Sequence, residues 1–312
     1  MPTPLQPAPA LSRVAGVETW LKRDDLTGLA LGGNKVRAVE YLLADAAARK
    51  ADCVVTGAGP QSNWAAIAAL AARRCGLDVF LVFYGEPVPA TGNLLLDQLA
   101  GADIRFTGEP DRGSVDLAIE SLTAELAAAG RRPYALPRGG ATGTGSLGYV
   151  CATLELLGQI AAARLTPTSL WLATGSCGTQ AGLVAGAQWL RTGYEVIGVT
   201  VSRPVEECTA RVAALVGDAA AQLGLGAEAA VTAAGITVID GFRGPGYGKR
   251  SAEGDAAARL VARSEGVLLD PVFGAKAMAA LLESAARGQI TGPVVFLVTG
   301  GAPALFTSEV SW

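Results

Sequence analysis

A strand, a glycine-rich turn and a helix are predicted by the stretch Leu170-Trp171-Leu172-Ala173-Thr174-Gly175-Ser176-Cys177-Gly178-Thr179-Gln180-Ala181-Gly182. The first residues are apolar and match a buried strand, whereas the glycines and hydroxyls that follow favour a turn that opens a helix. Backbone amides at a helix N-terminus bind anions, helped by the helix dipole. The stretch is neither a nucleotide P-loop nor a Gly-x-Gly-x-x-Gly dinucleotide fingerprint. It therefore predicts a site for a small phosphate monoester; the alternative is a glycine turn that only packs against its strand.

The rest of the chain repeats this alternation of short β-branched or aromatic runs with longer stretches rich in alanine and leucine. Such a pattern is typical of an α/β protein with parallel twisted sheets flanked by helices. The strand candidates are Val17 to Leu21, Cys53 to Thr56, Val79 to Phe83, Ile104 to Phe106, Leu170 to Ala173, Val196 to Val201, Val238 to Ile239 and Val294 to Val298. The proline-rich first ten residues predict an extended arm.

Composition excludes several classes of function. The chain has 312 residues, half of them hydrophobic, which predicts a globular protein of about two domains. A net charge of -3 with 17% charged residues gives no basic stripe for nucleic acid or anionic lipid. Neither a targeting segment nor a membrane span is predicted, so we expect a cytoplasmic protein.

Cysteine and histidine usage narrows the chemistry further. The five cysteines are scattered without a Cys-x-x-Cys pair, so we expect them to be reduced and mostly buried, and no metal site is predicted. Histidine is absent, which excludes a Ser-His-Asp triad and a histidine general base. Proton transfer must therefore fall to lysine, tyrosine, hydroxyl or carboxyl groups.

One lysine stands out because of its position. Lys35 follows Gly32-Gly33-Asn34 and opens a helix predicted over residues 34–49. The apolar face of that helix comprises Val36, Val39, Leu42 and Leu43, and its polar face comprises Arg37, Glu40 and Arg49. A desolvated lysine near helix amides can form a Schiff base with an aldehyde that carries a phosphate, such as pyridoxal phosphate. The alternative is a solvated lysine on a first helical turn.

A second polar turn precedes another helix, in Thr56-Gly57-Ala58-Gly59-Pro60-Gln61-Ser62-Asn63-Trp64. Loops at the carboxyl ends of parallel strands form the ligand crevice of an open sheet. Ser62 and Asn63 are therefore candidates to bind a carboxylate and a phenolic oxygen. The alternative is an ordinary helix cap, for which serine and asparagine are favoured. The turn-rich stretch 137–145 is a further candidate for a ligand cleft between lobes.

Together these segments resemble the fold type II pyridoxal phosphate enzymes, and within them the family of D-cysteine desulfhydrase and 1-aminocyclopropane-1-carboxylate (ACC) deaminase. The resemblance extends over nearly the whole chain and rests on Lys22-Arg23-Asp24-Asp25, Gly32-Gly33-Asn34-Lys35, Gln61-Ser62-Asn63, Gly244-Pro245-Gly246-Tyr247-Gly248, Leu269-Asp270-Pro271-Val272 and Thr299-Gly300-Gly301-Ala302-Pro303. It implies a large cofactor-binding domain of residues 1–42 and 156–312, a small domain of residues 43–155, an active site between them, and a homodimer.

The resemblance also implies a role for each matching residue. Lys35 would hold pyridoxal 5'-phosphate covalently and then shuttle the α-proton of the substrate. Ser62 would contact the substrate carboxylate or a proton in transit, and Asn63 the ring oxygen. The phosphate would be bound by Gly175, Ser176, Cys177, Gly178 and Thr179. Thr299 would face the pyridine nitrogen, and Tyr247 would act on the substrate side. Asp24 and Asp25, beside Lys22 and Arg23, would have a structural ion-pair role.

Three positions depart from the family pattern. Trp64 replaces a histidine after Ser62-Asn63, and Phe273-Gly274 replaces the tyrosine and glutamate that ACC deaminases have after Asp-Pro-Val. Phenylalanine and glycine can neither open a cyclopropane ring nor hold the pyridine nitrogen, which argues against ACC deamination. Trp64 and Phe273 are predicted to line a changed substrate pocket.

The predicted function is a pyridoxal phosphate-dependent lyase acting on a small amino acid. In D-cysteine desulfhydrase-like α,β-elimination, the products would be pyruvate, ammonia and sulfide. The alternative within the family is a biosynthetic enzyme that performs β- or γ-elimination or replacement on another amino acid. A non-catalytic pyridoxal phosphate-binding protein is the alternative from another class, and the joint presence of Lys35, Ser62, Asn63 and Tyr247 argues against it.

Overall fold

The computed structural model describes residues 2–307, which fold around two separate β-sheets. The strands are β1 (Leu5–Pro7), β2 (Thr19–Lys22), β3 (Cys53–Ala58), β4 (Asp78–Phe83), β5 (Asp103–Phe106), β6 (Pro133–Ala135), β7 (Ser169–Thr174), β8 (Glu195–Thr200), β9 (Thr237–Ile239) and β10 (Val294–Leu297). The helices are α1 (Pro9–Ala15), α2 (Lys35–Ala48), α3 (Asn63–Arg74), α4 (Gly92–Leu99), α5 (Ser114–Ala128), α6 (Gly143–Ala163), α7 (Gly178–Trp189), α8 (Val205–Gln222), α9 (Ala252–Glu265) and α10 (Gly274–Ala286).

The larger sheet has six strands in the order β1-β2-β10-β7-β8-β9. All its neighbours run parallel except β1, which pairs antiparallel with β2. Alternate residues of β7 enter different cores, because side chains along a strand point to opposite faces. Trp171 packs with residues of α9 and α10, whereas Leu170 and Leu172 pack with residues of α6 and α7. Helices therefore cover both faces of this sheet.

The smaller sheet is fully parallel, with the strand order β5-β4-β3-β6. One face packs on α3 through Val54 and Leu81, and the other packs on α5 through Val55 and Val82. Since parallel sheets are buried on both faces, their strands are apolar throughout, as β3 is. This sheet places the loops after β3, β4 and β5 at one edge.

The structure confirms the predicted α/β class and every strand candidate, with shifts of one or two residues at the ends. Two strands were missed. β1 lies inside the proline-rich segment that was predicted to be an extended arm, and α1 begins there at Pro9. β6 is only three residues long, with one tyrosine and no β-branched residue, so it is too short to show the alternation that predicts a strand.

The predicted division into two domains agrees in outline with the division into two sheets. The strands of the smaller sheet all lie within residues 43–155, and those of the larger sheet lie in 1–42 and 156–312. The predicted boundaries fall inside α2 and α6, two helices that pack against each other and join the lobes. Their exact position stays a prediction.

A buried ionic cluster holds α2 and α6 together where they join the lobes. It also shows that one prediction was wrong. Arg37 was assigned to the polar face of α2, but it is only 9% exposed. Its Nε donates to Asp24 Oδ2 at 2.7 Å and its Nη1 donates to Glu155 Oε2 at 3.0 Å. Lys22 also pairs with Glu155, and the hydroxyl of Tyr149 donates to Asp24 at 2.6 Å. Removing one partner from such a buried network destabilises a protein by about 3–5 kcal/mol.

The structural ion-pair role predicted for the two aspartates is therefore present, with a difference in partners. Asp25 pairs with its neighbour Arg23 at 2.7 Å, whereas the partner of Asp24 comes from α2. Asp24 is fully buried, and Asp25 is partly exposed. The pairing of Asp24 with Arg37 could not be found from sequence adjacency, because thirteen residues separate them.

Helix α6 is the one described helix that is long and apolar enough to cross a membrane, judged by length and composition alone. One such helix is weak evidence for a span, because the core helix of a globular protein passes the same test. Here α6 packs against α2, α7 and α8, and it contributes Glu155 to the ionic cluster. It acts as a core helix within this fold.

Candidate active site

A cleft between the two sheets collects nearly all of the predicted site residues. Eleven of the twelve line it, namely Lys35, Ser62, Asn63, Trp64, Gly175, Ser176, Cys177, Thr179, Tyr247, Phe273 and Thr299. Gly178, the twelfth, is the first residue of α7 and borders a small adjoining cavity. Most of these residues follow the carboxyl end of a strand, where loops of parallel sheets form a ligand crevice.

The loop before Lys35 is held in place from two directions. Gly33 N donates to Asp24 O at 3.0 Å, and Asn34 N donates to Thr299 O at 2.9 Å. Gly32 has a φ of 72°, and a Cβ there would stand 1.9 Å from Asp25 O. Only glycine fits at this position, which explains the glycine before the lysine. The loop therefore fixes the start of α2 and with it the direction of Lys35.

The amine of Lys35 lies against the glycine-rich turn. Its Nζ is 3.1 Å from Ser176 Oγ. Burial lowers the pKa of Lys35 from 10.5 to about 8, since a charged ammonium is poorly solvated there. No aspartate or glutamate occurs among the described residues that line the cleft, so no carboxylate there restores the charged form. A large fraction of the amine is therefore neutral, and nucleophilic, near pH 8.

The predicted phosphate turn lies at the N-terminus of α7. Cys177 precedes this helix with a φ of 74°, and no side chain caps the first amides. Those amides are left for another acceptor, as at every uncapped helix start. The buried hydroxyl of Thr174, at the end of β7, also has no hydrogen-bond partner. Thr179 Oγ accepts from Asn34 Nδ2 at 2.9 Å, which ties the turn to the lysine loop.

Cys177 contributes backbone rather than a reactive thiol. Its side chain is buried in a cluster that also contains Cys208. The contact with the Cys208 thiol and burial together raise the pKa of Cys177 far above its usual value. A neutral, buried thiol is a poor nucleophile. The five cysteines are all free, and three of them are buried, as the sequence predicts.

Ser62 and Asn63 begin α3 at the opposite wall. Ser62 Oγ accepts from Trp64 N and Ala65 N at 3.2 and 3.3 Å, so it is the N-cap of the helix and borders the cleft as well. Asn63 Oδ1 accepts from Asn93 Nδ2 at 2.7 Å. The amide oxygen of Asn63 is thereby occupied. Its Nδ2 group remains as the donor that can serve a ligand oxygen.

Trp64 borders the cleft but belongs mainly to its supporting wall. The side chain is 2% exposed, and its Nε1 donates to Thr56 Oγ1 at 2.9 Å. Gly140 lies against the indole so closely that a Cβ there would stand 2.4 Å from the ring. The tryptophan therefore fixes the backbone of residues 137–140 beside the cleft.

Tyr247 and Phe273 line the same cleft as Ser62. Their rings meet edge to face, with centroids 6.2 Å apart. Lys276, which is buried, donates from Nζ to Arg243 O at 2.8 Å and so holds the loop that carries Tyr247. Asp270 accepts from the backbone amides of residues 272–274, which fixes Phe273. Burial raises the pKa of Asp270 to about 6, although these amides oppose the rise.

Four cleft-side residues were missed by the sequence analysis, namely Tyr84, Asn93, Arg112 and Arg203, whereas Arg138 lies in the stretch 137–145 that was predicted as a candidate cleft. Three of the four follow strands of a parallel sheet, after β4, β5 and β8, so the rule for ligand crevices could have found them. Asn93 carries no such signal, because it acts through a contact with Asn63 from thirty residues away.

These donors fit pyridoxal phosphate. The uncapped amides of α7 and the unpartnered hydroxyl of Thr174 suit its phosphate, and the low-pKa amine of Lys35 suits its aldehyde carbon. The amide of Asn63 suits a ring oxygen. The fold and this arrangement together define a fold type II pyridoxal phosphate enzyme.

Comparison with known proteins gives the family. The chain belongs to the pyridoxal-phosphate dependent enzyme family, whose model matches residues 1–300. It is 40% identical to the D-cysteine desulfhydrase of Klebsiella pneumoniae (strain 342), with 98% of this chain and 93% of the relative covered. It is 41% identical to that of Yersinia pestis (strain Pestoides F), with 97% and 92% covered.

The solved structures agree. A crystal structure of an ACC deaminase homologue matches with a TM-score of 0.90 and 37% identity, over 98% of this chain and 91% of the other. The T.th. threonine deaminase matches with a TM-score of 0.72 and 20% identity, over 100% and 94%. The second likeness shows the fold alone. The predicted family and cofactor are thereby confirmed, and the roles of single residues stay predictions.

Proposed function

We propose that this enzyme is a lyase that eliminates sulfide from D-cysteine and yields pyruvate, ammonia and sulfide. The relatives that cover nearly its whole length carry that activity in their names. The observation that supports it most directly is the approach of Lys35 Nζ to Ser176 Oγ at 3.1 Å. An amine of lowered pKa beside the phosphate turn is what α-proton removal and cofactor binding both require.

Bound pyridoxal phosphate supplies an electron sink for the carbanion that forms at the substrate's α-carbon. The protein supplies the proton transfers. Lys35, with its pKa near 8, is a suitable base for the α-proton near neutral pH. The Ser62 hydroxyl and the helix start that it caps face the same cleft, and they can hold the substrate carboxylate.

The leaving thiolate needs a proton donor on the far wall. Burial raises the pKa of Tyr247 above its usual value of 10, so its phenol stays protonated at neutral pH. Tyr247 can therefore hydrogen-bond to the departing sulfur and protonate it. Phe273 beside it has no hydroxyl and serves as an apolar wall.

The test uses the cofactor-loaded protein and D-cysteine. We expect the visible absorption of the bound cofactor to change as pyruvate and sulfide appear in equal amounts. L-cysteine and D-serine, run in parallel, define the enantiomer and the leaving group. Cofactor absorption without products from any of the three would disprove the proposed lyase, although the family assignment would remain.

Elimination or replacement on another amino acid is the second candidate. It is favoured by Phe273 and by Gly274, which is buried at the start of α10 and has no side chain for the cofactor ring. The same two residues argue against ACC deamination, in line with the sequence. Incubation of the holoenzyme with ACC should therefore release no ammonia.

We also propose that the enzyme is a homodimer that works in the cytoplasm. Helix α6 presents an apolar outer face on which Leu154 is 55% exposed, beside a groove shared with α2. All five cysteines are free thiols, which suits a reducing compartment. Light scattering on the purified protein, with Leu154→Asp as the interface variant, tests the dimer. Fractionation of the source cells tests the location.

A further inference from the structure

The cleft carries a strong positive charge. Arg112, Arg138 and Arg203 all line it, and none of the described lining residues is acidic. The chain as a whole has a net charge of -3, so this concentration of positive charge is local. A narrow cleft that is lined by charge of one sign attracts ligands of the opposite sign.

The three arginines differ in their partners. Arg138 pairs with Asp116 at 3.0 Å, and Arg203 pairs with Glu207 while its Nε donates to Gly175 O at 3.1 Å. Arg112 has no carboxylate partner within residues 2–307. Its guanidinium lies over the ring of Tyr247, 4.0 Å from the centroid.

All three charges act on the phenol of Tyr247. Each of them lowers the pKa of the Tyr247 phenol, although burial is the larger effect and raises it. That phenol stands where the end of the substrate side chain is expected. A stacked guanidinium still presents its N–H groups along its edge, in a geometry that suits a bidentate oxyanion.

We propose that Arg112, together with Arg138 from the same cleft, forms a subsite for an oxyanion on the substrate side chain, so that the enzyme takes amino acids whose β-leaving group is a sulfonate or a phosphate. The proposal rests on the proposed β-elimination and names a substrate class for it. Cysteate and O-phosphoserine are the simplest members of this class.

The chemistry balances in the same way as for cysteine. Lys35 removes the α-proton, the electron pair forms the Cα–Cβ double bond, and the Cβ–S or Cβ–O bond breaks with its electrons on the leaving oxyanion. The three-carbon product takes up water and gives pyruvate and ammonium. Overall, cysteate and water give pyruvate, ammonium and hydrogensulfite, whereas O-phosphoserine and water give pyruvate, ammonium and phosphate.

The alternative role for these arginines is to bind the phosphate of the cofactor. Its predicted site is the start of α7, at the end of the larger sheet, where Arg203 contacts the turn through Gly175. Arg112 comes from the loop after β5, at the end of the smaller sheet. This separation assigns Arg203 to the cofactor side and Arg112 to the substrate side.

The experiment compares substrates on the holoenzyme. Both enantiomers of cysteate and of O-phosphoserine are supplied beside D-cysteine and the neutral reference β-chloro-D-alanine, with pyruvate, sulfite and phosphate measured. We expect pyruvate from at least one oxyanion substrate, and the co-product identifies sulfonate or phosphate as the group. Arg112→Leu should lower kcat/KM for that substrate about 10- to 100-fold more than for β-chloroalanine, the effect of a lost charge-assisted bond.

Two further variants complete the test. Arg112→Lys keeps the positive charge but lacks the bidentate geometry of the guanidinium, and it should recover part of the loss. Arg74→Leu changes the net charge equally on the exposed end of α3, so it controls for long-range electrostatics. The affinity for pyridoxal phosphate, titrated through its visible absorption, should be the same in Arg112→Leu and Arg74→Leu.

The outcomes separate the two proposals. Pyruvate from D-cysteine but from neither oxyanion substrate overturns the subsite and leaves the desulfhydrase. No pyruvate from any substrate overturns both. Equal losses on all substrates, together with weaker cofactor binding in Arg112→Leu, would assign Arg112 to the cofactor phosphate and also overturn the subsite.

Discussion

The two walls of the cleft are built in different ways. The cofactor wall consists of Lys35 and the turn of residues 174–179, two short segments joined by the hydrogen bond between Asn34 and Thr179. The substrate wall consists of Tyr84, Arg112, Arg138 and Tyr247, each from a different loop. The first wall depends on local backbone geometry at two helix starts, and the second depends on how distant loops meet.

This difference explains how substrates can change while the cofactor stays. A helix N-terminus binds phosphate through backbone amides. The glycines and hydroxyls of the turn determine where those amides point, so the cofactor wall tolerates few alternatives at these positions. The substrate wall is made of side chains on surface loops, which accept substitution without loss of the fold. We therefore expect variants of the first wall to affect all substrates equally, and variants of the second to change selectivity.

The largest effect is expected at Lys35. Lys35→Ala removes the amine that we propose both bonds the cofactor and acts as the base, so pyruvate formation from every substrate should fall at least about 1000-fold. Lys35→Arg is the matched control, because it keeps a positive charge that is not nucleophilic, and it should be equally inactive. Steady-state rates on D-cysteine and β-chloroalanine are the measurement. A loss confined to one substrate would break the distinction between the walls.

The residues of the cofactor wall could be located from the sequence alone, and their contacts with the cofactor stay predictions. Lys35 and the turn after β7 each lie beside a helix start that apolar periodicity and glycine placement reveal. The distances between these segments follow from the parallel sheets, which the alternation of strands and helices predicts.

The substrate wall could not be predicted to the same degree. Arg112 and Tyr247 are 135 positions apart in the sequence, and only the packing of the two lobes stacks the guanidinium on the ring. Arg37 was misplaced for a related reason. Its helix position gives a polar face, and Glu40 and Arg49 on that face are exposed, but Arg37 is buried because α6 brings Glu155 against it. Such contacts between distant segments override the local pattern.

Asn93 offers a way to sharpen the comparison, because it lies in the smaller sheet's lobe and holds Asn63, whose amide is expected to contact the cofactor ring. Asn93→Ala removes the hydrogen bond that holds the Asn63 amide and frees this amide to rotate. Because small displacements in an active site lower the rate strongly, kcat should fall about 30-fold on all substrates with little change in KM. The visible absorption of the bound cofactor should shift as well. Asn93→Ser, which can still donate to Asn63, should recover part of the rate. A change in KM alone would instead place Asn63 on the substrate wall.

The lowered pKa of Lys35 predicts that the rate of cofactor capture depends on pH. The arginines of the substrate wall stay charged throughout this pH range. The neutral amine, which captures the cofactor aldehyde, increases as pH rises through the lowered pKa of about 8. Capture of pyridoxal phosphate by the apoprotein should thus be about tenfold faster at pH 9 than at pH 7. Stopped-flow absorption between pH 6.5 and 9.5 measures it. A rate that still rises about tenfold between pH 8.5 and 9.5 would show an amine with an ordinary lysine pKa.

The smallest expected effect tests the hydrogen bond that joins the two parts of the cofactor wall. Thr179→Val keeps the shape of the side chain and removes the hydroxyl that accepts from Asn34 at 2.9 Å. Loss of one neutral hydrogen bond should weaken pyridoxal phosphate binding about fivefold. Equilibrium titration of the visible absorption measures this affinity. The ratio of kcat/KM between D-cysteine and β-chloroalanine should not change, because Thr179 lies away from the loops that carry Arg112 and Tyr247. A change in that ratio would mean that the two walls are coupled through α7, and selectivity would then depend on the cofactor wall as well.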